Sequence, residues 1–198
     1  MSDRGWRAAF LVCSCALGVA CTSVRPLDTP ARPLAPGTVP VLAPDEGILV
    51  VFVETDIPLT ELEVSQASAL ADVPKGKSLH LLAVSEGTHR WSGIVISAGE
   101  GDVYFKPDYG DFWEFRVEAG RTNYPGELIF RGVIGKRIVR LAPVGFRNRS
   151  AGMFRRLRES HRDLLERYPL IYTGQKSDEY LDFLREDVLE AGAEGAGG

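Results

Sequence analysis

Ile48 to Val53 reads Ile-Leu-Val-Val-Phe-Val, six consecutive branched or aromatic residues inside the run GILVVFVE (47–54). A strand alternates its side chains between two faces, so one sheet-on-sheet contact buries only half of such a run. The other face needs a second cover. SLHLLAV (78–84) makes the same demand. Any fold open to this chain therefore places both segments inside, with a layer on each side.

The remaining β signals are shorter. HRWSGIVIS (89–97) follows the turn residues Glu86-Gly87, which suggests a hairpin. GEGD (99–102) turns into VYFKP (103–107), and PDYGD (107–111) turns into FWEFRVE (112–118). In that last run Trp113, Phe115 and Val117 alternate with Glu114, Arg116 and Glu118, the period of a half-buried strand. Gly120 suits a positive φ in the next turn. NYPGELIF (123–130) returns, with a bulge or edge expected at Pro125-Gly126, and KRIVRLA (136–142) closes the set. About seven strands in roughly a hundred residues predict a mainly β fold, an antiparallel β-sandwich of the immunoglobulin or transthyretin kind.

Two amphipathic helices are expected after it. Ser150 is suited to cap residues 151–168, where Met153, Phe154, Leu157, His161, Leu164, Leu165 and Tyr168 share a face at helical spacing, and Pro169 ends the run. Ser177 is suited to cap a second, with Tyr180, Leu181, Leu184 and Val188 as its stripe and Asp178 and Glu179 in its first turn. These helices are the candidate cover for the outer faces of 48–53 and 79–84. The expected divisions are a β-sandwich over 47–142, a helical extension over 143–191 and a disordered tail over 192–198.

The start of the chain has a different character. Arg4 and Arg7 precede an uncharged stretch from Ala8 to Ala20, too short for an ordinary membrane span and suited to a signal peptide. With Leu17, Gly18, Val19 and Ala20 before Cys21, the junction resembles the lipobox of bacterial lipoproteins. That resemblance implies cleavage of residues 1–20 and a diacylglycerol, with acyl chains such as palmitate, on the Cys21 thiol. The alternative is a plain secretory signal cleaved near the same point. Cys13, Cys15 and Cys21 are the only cysteines, so after cleavage Cys21 alone remains, and disulfides, thiolate nucleophiles and cysteine metal sites are excluded. Residues 21–46 then read as a lipidated cysteine and a tether, because Pro26, Pro30, Pro33, Pro36, Pro40 and Pro44 favour extended backbone spanning up to about 75 Å. Loss of Arg4, Arg7 and Asp3 from 23 basic and 27 acidic residues leaves a net charge of −5, which argues against nucleic acid as a partner.

EGTHRWSGI (86–94) and FRVEAGRTNYPGEL (115–128) resemble a group of uncharacterised bacterial envelope lipoproteins with a small β-sandwich domain. The likeness rests on a Gly-x-x-x-aromatic turn, a Phe-x-Val-x-x-Gly turn and a Tyr-x-Gly-acidic-Leu strand, and it covers about residues 47–142. It implies architecture and an envelope location, and it carries no catalytic residue. Thr22, rather than Asp, after the cysteine implies the outer membrane, with the domain facing the periplasm.

Chemistry-bearing patterns are sparse. His80 lies in an apolar strand and His161 on an apolar helix face, both suited to core roles, and with His89 they make no metal spacing. There is no Gly-x-Ser-x-Gly elbow, and GVIGKR lacks the spacing of a phosphate loop. Asp102, Asp108 and Asp111 read as solvated turn carboxylates. No catalytic residue, cofactor or metal site is assigned. Trp91, Trp113 and Tyr124 are candidates for a ligand surface, and Arg155, Arg158 and Arg162 for an anion-binding face. Glu159, Asp163 and Glu166 are interleaved with them, Asp163–Arg167 and Arg162–Glu166 stand at i,i+4, and the acidic second helix (Asp178, Glu179, Asp182, Glu186, Asp187 and Glu190) is suited to neutralise the rest, so a solvated, salt-bridged face is expected. The expected function is that of a non-catalytic, membrane-anchored accessory lipoprotein that docks an envelope protein. The alternative is a module that binds a small ligand or cell-wall polymer. A hydrolase would require two facing carboxylates in a deep cleft.

Overall fold

Residues 48–53 form the middle of a ten-residue strand buried on both faces. In the computed structural model, which describes residues 31–35, 37–97, 101–107, 110–135, 139–175, 178–179 and 181, the elements in chain order are β1 (Arg32–Pro33), β2 (Glu46–Thr55), β3 (Leu59–Val64), β4 (Ala67–Val73), β5 (Gly76–Ser85), β6 (Gly87–Ser97), β7 (Asp102–Phe105), a 3₁₀ turn (Asp111–Trp113), β8 (Glu114–Val117), β9 (Thr122–Tyr124), β10 (Glu127–Ile134), β11 (Val139–Arg147), the helices α1 (Ser150–Ser160) and α2 (Arg162–Arg167), and β12 (Leu170–Tyr172). The fold is mainly β, in two sheets.

The first sheet runs β1-β5-β2-β10-β11, with β9 beside the start of β2 and β12 beside β9. The second runs β4-β3-β6-β7, with β8 on the same side of β6 as β7. Between the sheets lie Leu49, Val51 and Val53 of β2, Leu82 and Val84 of β5, and Trp91, Ile94 and Ile96 of β6. The alternate residues of β2 point the other way. Val50 and Phe52 pack with Met153 and Leu157 of α1, and Ile48 packs with Leu164 and Tyr168. The sequence's demand for two covers is met in this way, by a sheet on one side and helices on the other.

Several expectations change. All seven predicted runs overlap strands, but β1, β3, β4 and β12 join them, so twelve strands are described where about seven were expected. The first sheet is mixed, because β2 pairs in parallel with β9 and β10, and β9 with β12. Parallel pairing requires burial on both faces, which β2 has. Glu86 is not a hairpin tip: β5 and β6 belong to different sheets, and Gly87 (φ +145°) turns the chain from one to the other. Pro125 and Gly126 (φ +122°) interrupt the strand as expected, dividing β9 from β10.

The helix expected over 151–168 is broken at His161, whose φ of −144° and ψ of 47° are not helical. The Ser160 hydroxyl donates to the Arg156 carbonyl, a back-bond that competes with the helix ladder at the break. Ser150 starts α1 rather than capping it with its side chain. Apart from Asp178, Glu179 and Leu181, the second expected helix lies outside the described residues, as do Cys21 and the 192–198 tail. Residues 31–35 and 37–46, expected as tether, lie on the domain. Arg32 and Pro33 pair with Ala83 and Leu82, Leu34 and Leu42 join the cluster around Leu164 and Tyr168, and the Tyr168 hydroxyl donates to the Pro40 carbonyl at 3.0 Å.

Candidate functional site

The aromatic residues singled out by sequence do not form a surface. Trp91 is buried between the sheets, its ring 5.0 Å from that of Phe115, and Trp113 is buried at the end of the 3₁₀ turn. Tyr124 is wholly buried beneath the helices, its ring 6.2 Å from that of Tyr172. Large apolar side chains on strands with two covered faces go inward. They therefore divide between two cores and line no groove.

The arginines behave differently. Arg155 and Arg158 on α1 and Arg162 on α2 all stand exposed. Arg162 Nε reaches Glu166 Oε1 at 2.9 Å, the i,i+4 pair expected from the sequence. Among the described residues, Arg155 and Arg158 have no ion-pair partner. Arg156 lies over the Phe52 ring, 5.2 Å from its centre, and Arg167 over the Tyr168 ring.

A charged cluster that sequence reasoning missed crosses the parallel β2–β10 seam. Glu54 on β2 accepts from Arg131 on β10, with Lys77 of β5 3.4 Å away, and Arg131 also reaches Asp56 at 3.3 Å. These cations hold the Glu54 carboxyl down at about 2, the Arg131 hydrogen bond being the largest cause. Glu127, at the start of β10, has no solvent exposure, and Arg149 Nε stands 3.1 Å from its Oε2. Burial raises its pKa, the Arg149 charge opposes that shift, and the neighbouring Glu54 adds to it. Two carboxyls driven in opposite directions resemble an acid–base pair in electrostatics. Glu127 is sealed from solvent, however, so no substrate reaches it in this structure. The cluster ties β2, β5, β10 and the approach to α1 together. Glu54 and Glu127 lie 73 positions apart, and only the parallel register reveals them as neighbours.

A second polar group holds the β3–β4 turn. Ser65 (φ +49°) and Gln66 (φ +66°) both take left-handed backbone, and Val64 pairs with Ala67 across the turn. His89 is buried. Its Nε2–H donates to the Ser85 carbonyl at 2.8 Å, leaving Nδ1 to accept from the Ser65 hydroxyl at 3.3 Å. Desolvation lowers the His89 pKa, which keeps the ring neutral for that role. The Gln66 N–H donates to Ser92 Oγ at 2.7 Å. Serine and histidine meet here with the hydroxyl buried, as a clamp on a strained turn. His80 is half-buried and held low by desolvation, and His161 meets Ser160 at the helix break. Of the turn carboxylates, Asp102 accepts from Ser97, Asp111 is exposed, and Asp108 lies outside the described residues.

Sheet edges are the remaining means of recognition. β1 is two residues long and contains Pro33. β4 is bulged at Ala69, which Leu62↔Leu70 and Glu63↔Ser68 leave unpaired, and Asp72 sits at φ +52°. β7 is four residues long, and β11 contains Pro143 and a register shift. Each is blunted by a device that resists strand addition. β5 differs. β1 covers Leu82 and Ala83, and the Leu34 N–H reaches the Leu81 carbonyl. Among the described residues no strand lies beside Gly76–His80 on that side. Since Leu81 faces this edge, the alternation of an antiparallel ladder turns the N–H and C=O groups of Leu79 and Lys77 outward too.

Among the described residues, no three His, Cys, Asp or Glu side chains gather as a metal site, and no helix is long and apolar enough to cross a membrane. Compared with protein-family models, with curated proteins and with solved structures, the chain matches none.

Proposed function

We propose that this chain is a non-catalytic lipoprotein of the bacterial envelope, anchored through an acylated Cys21, probing the periplasmic side of the outer membrane and docking an extended segment of another envelope protein. The edge of β5 at Lys77 and Leu79, beside which no strand lies among the described residues, is the observation that carries the docking part. Backbone groups turned outward from a strand that is otherwise fully paired on its inner side are what an added strand requires. Burial of Trp91, Trp113 and Tyr124 weighs against the ligand-binding alternative, and burial of Glu127 weighs against a hydrolase. The two-sheet core accords with the immunoglobulin- or transthyretin-like sandwich of the resembling lipoproteins, which belongs to this proposal. The leader ending at Ala20-Cys21 supports the anchor.

Two measurements test the proposal. Mass spectrometry of the membrane-bound protein should find a lipid-modified Cys21 at the mature terminus; an unmodified start elsewhere removes the anchor. For docking, a photoreactive side chain at Lys77 in the full lipidated protein should yield a discrete adduct in intact envelopes. Leu79→Pro deletes an outward N–H while sparing the bonds to β2, so it should abolish that adduct without unfolding the domain. An adduct that survives this substitution would rule out strand addition at β5.

A further inference from the structure

The N-terminal segment of the domain and the basic helices lie beside each other. Leu34 and Leu42 of the N-terminal segment pack against Leu164, Leu165 and Tyr168 in and beside α2, while Ala31 packs between the sheets. From Ala31 back to Cys21 there are ten residues, which reach at most about 35 Å. That is half the reach of a tether ending at residue 46. A domain held that closely, through a segment that runs beside its helices, brings their exposed face within reach of the bilayer.

Charge favours the same orientation. Residues 147–167 hold seven arginines, Arg147 to Arg167, against three carboxylates, Glu159, Asp163 and Glu166, in a chain whose net charge is −4. One of those carboxylates is already engaged by Arg162, while Arg155 and Arg158 have no ion-pair partner among the described residues. Mixed charge on a helix normally signals a self-neutralised face. Here the arginines outnumber the carboxylates among them, and Arg155 and Arg158 are exposed. A cationic strip near a surface attracts anionic headgroups within a Debye length.

We infer that the exposed face of α1 and α2, through Arg155, Arg158 and Arg162, docks on the anionic lipid headgroups of the membrane that holds the anchor, fixing the orientation of the domain. The inference rests on the anchored reading above. In that orientation the contact adds a weak second attachment to the acyl chains, of the kind by which one lipid signal becomes stable anchoring.

The test uses the chain from Thr22 onward, which keeps every described residue and lacks the acyl group. It should co-sediment with vesicles containing phosphatidylglycerol and not with phosphatidylcholine vesicles, and physiological salt should weaken the binding relative to low salt. Replacing Arg155, Arg158 and Arg162 together with Gln should lower the vesicle affinity about 100-fold. Replacing Lys75 and Arg140 with Gln, away from the helices, should leave it within about twofold, and circular dichroism should show both variants folded. Absence of binding to anionic vesicles, or binding indifferent to the three arginines, would overturn the inference. So would binding that emerges only when residues 182–198 are removed, since the face would then belong to the chain's own acidic segment. A soluble sulfated polymer bound in place of vesicles would equally refute it. Acylation of Cys21 is measured separately: an acylated protein whose helix face ignores lipid leaves the anchor standing, and vesicle binding without acylation leaves the face standing.

Discussion

Asn123 shows how much of this fold depends on single side chains. Buried completely, it accepts from the Glu118 N–H at 2.9 Å through Oδ1, while Nδ2 faces the carbonyls of Ile48, Glu118 and Arg121 at 3.0 to 3.2 Å. The amide therefore joins the start of β2 to the β8–β9 turn. Gly47 lies against it, and a Cβ there would overlap the Glu118 carbonyl and stand 2.7 Å from Asn123 Nδ2. Asn123→Ala strands several buried backbone groups at once and should cost about 2–4 kcal/mol, read as a lower urea midpoint at unchanged slope. Loss of under about 0.5 kcal/mol would show that water replaces the amide. At the β3–β4 turn the opposite sign is expected. Gln66 is exposed and holds φ +66°, a region that glycine enters without steric cost. Gln66→Gly should therefore raise stability by about 0.5–1 kcal/mol, despite the added freedom of the unfolded chain. A destabilised variant would mean that the Ser65–His89 clamp depends on the Gln66 side chain as well.

Among the elements, the β2–β10 seam carries the charges, and its two carboxyls predict opposite pH dependences. Glu54 has a depressed pKa in the fold, so its stabilisation is complete above the unfolded value near 4.5 and disappears as pH falls toward about 2. Glu127 has a raised one, so its contribution is greatest in acid and declines as pH rises through the folded value. Glu54→Gln should cost about 1 kcal/mol at neutral pH, and the gap from wild type should close between about pH 4.5 and 2. Relative to wild type, Glu127→Gln should gain stability as pH rises; parallel curves for wild type and both variants would remove this account of the cluster. The elements differ in how openly the sequence announces them. Residues 48–53 and 79–84 were legible, together with their need for covers on both faces, because unbroken apolar runs have few other outcomes. β3 and β4 were not, since LTELEV carries two glutamates on six residues and ASALADV is rich in alanine, a weak strand former. Neither was the Glu54–Glu127 contact, nor the sheet change at Glu86-Gly87, because a turn signal shows that the chain bends and not which sheet receives it. Arginine exposure could be read from helical spacing, whereas the absence of an ion-pair partner for Arg155 and Arg158 among the described residues needed the structure.

At the scale of the whole molecule, the boundary between leash and domain decides how the protein would stand on a membrane. Proline spacing places that boundary at Gly47, whereas residues from Ala31 onward already pack on the domain. Residues 31–46 contribute the β1 pairing, the Arg32–Glu46 pair at 3.3 Å, the Tyr168–Pro40 hydrogen bond and the contacts of Leu34 and Leu42 over Ile48, Leu81 and Leu164. Proline spacing does not distinguish the two cases, because extended backbone suits a free tether and a strap laid along a sheet edge equally well. The energies do. The Arg32–Glu46 pair is exposed and contributes little. Two leucines partly withdrawn from water and three backbone or hydroxyl hydrogen bonds, less the entropy of ordering the strap, leave about 2–4 kcal/mol. A chain beginning at Ala31 and one beginning at Gly47 should therefore differ by that amount in urea unfolding. Leu34→Ala with Leu42→Ala in the longer chain should recover about half of the difference, because it removes the apolar contacts and leaves the hydrogen bonds. Equal midpoints for the two chains would return residues 31–46 to the tether, lengthen the leash to its full reach, and take away the geometric reason for the helix face to meet the bilayer.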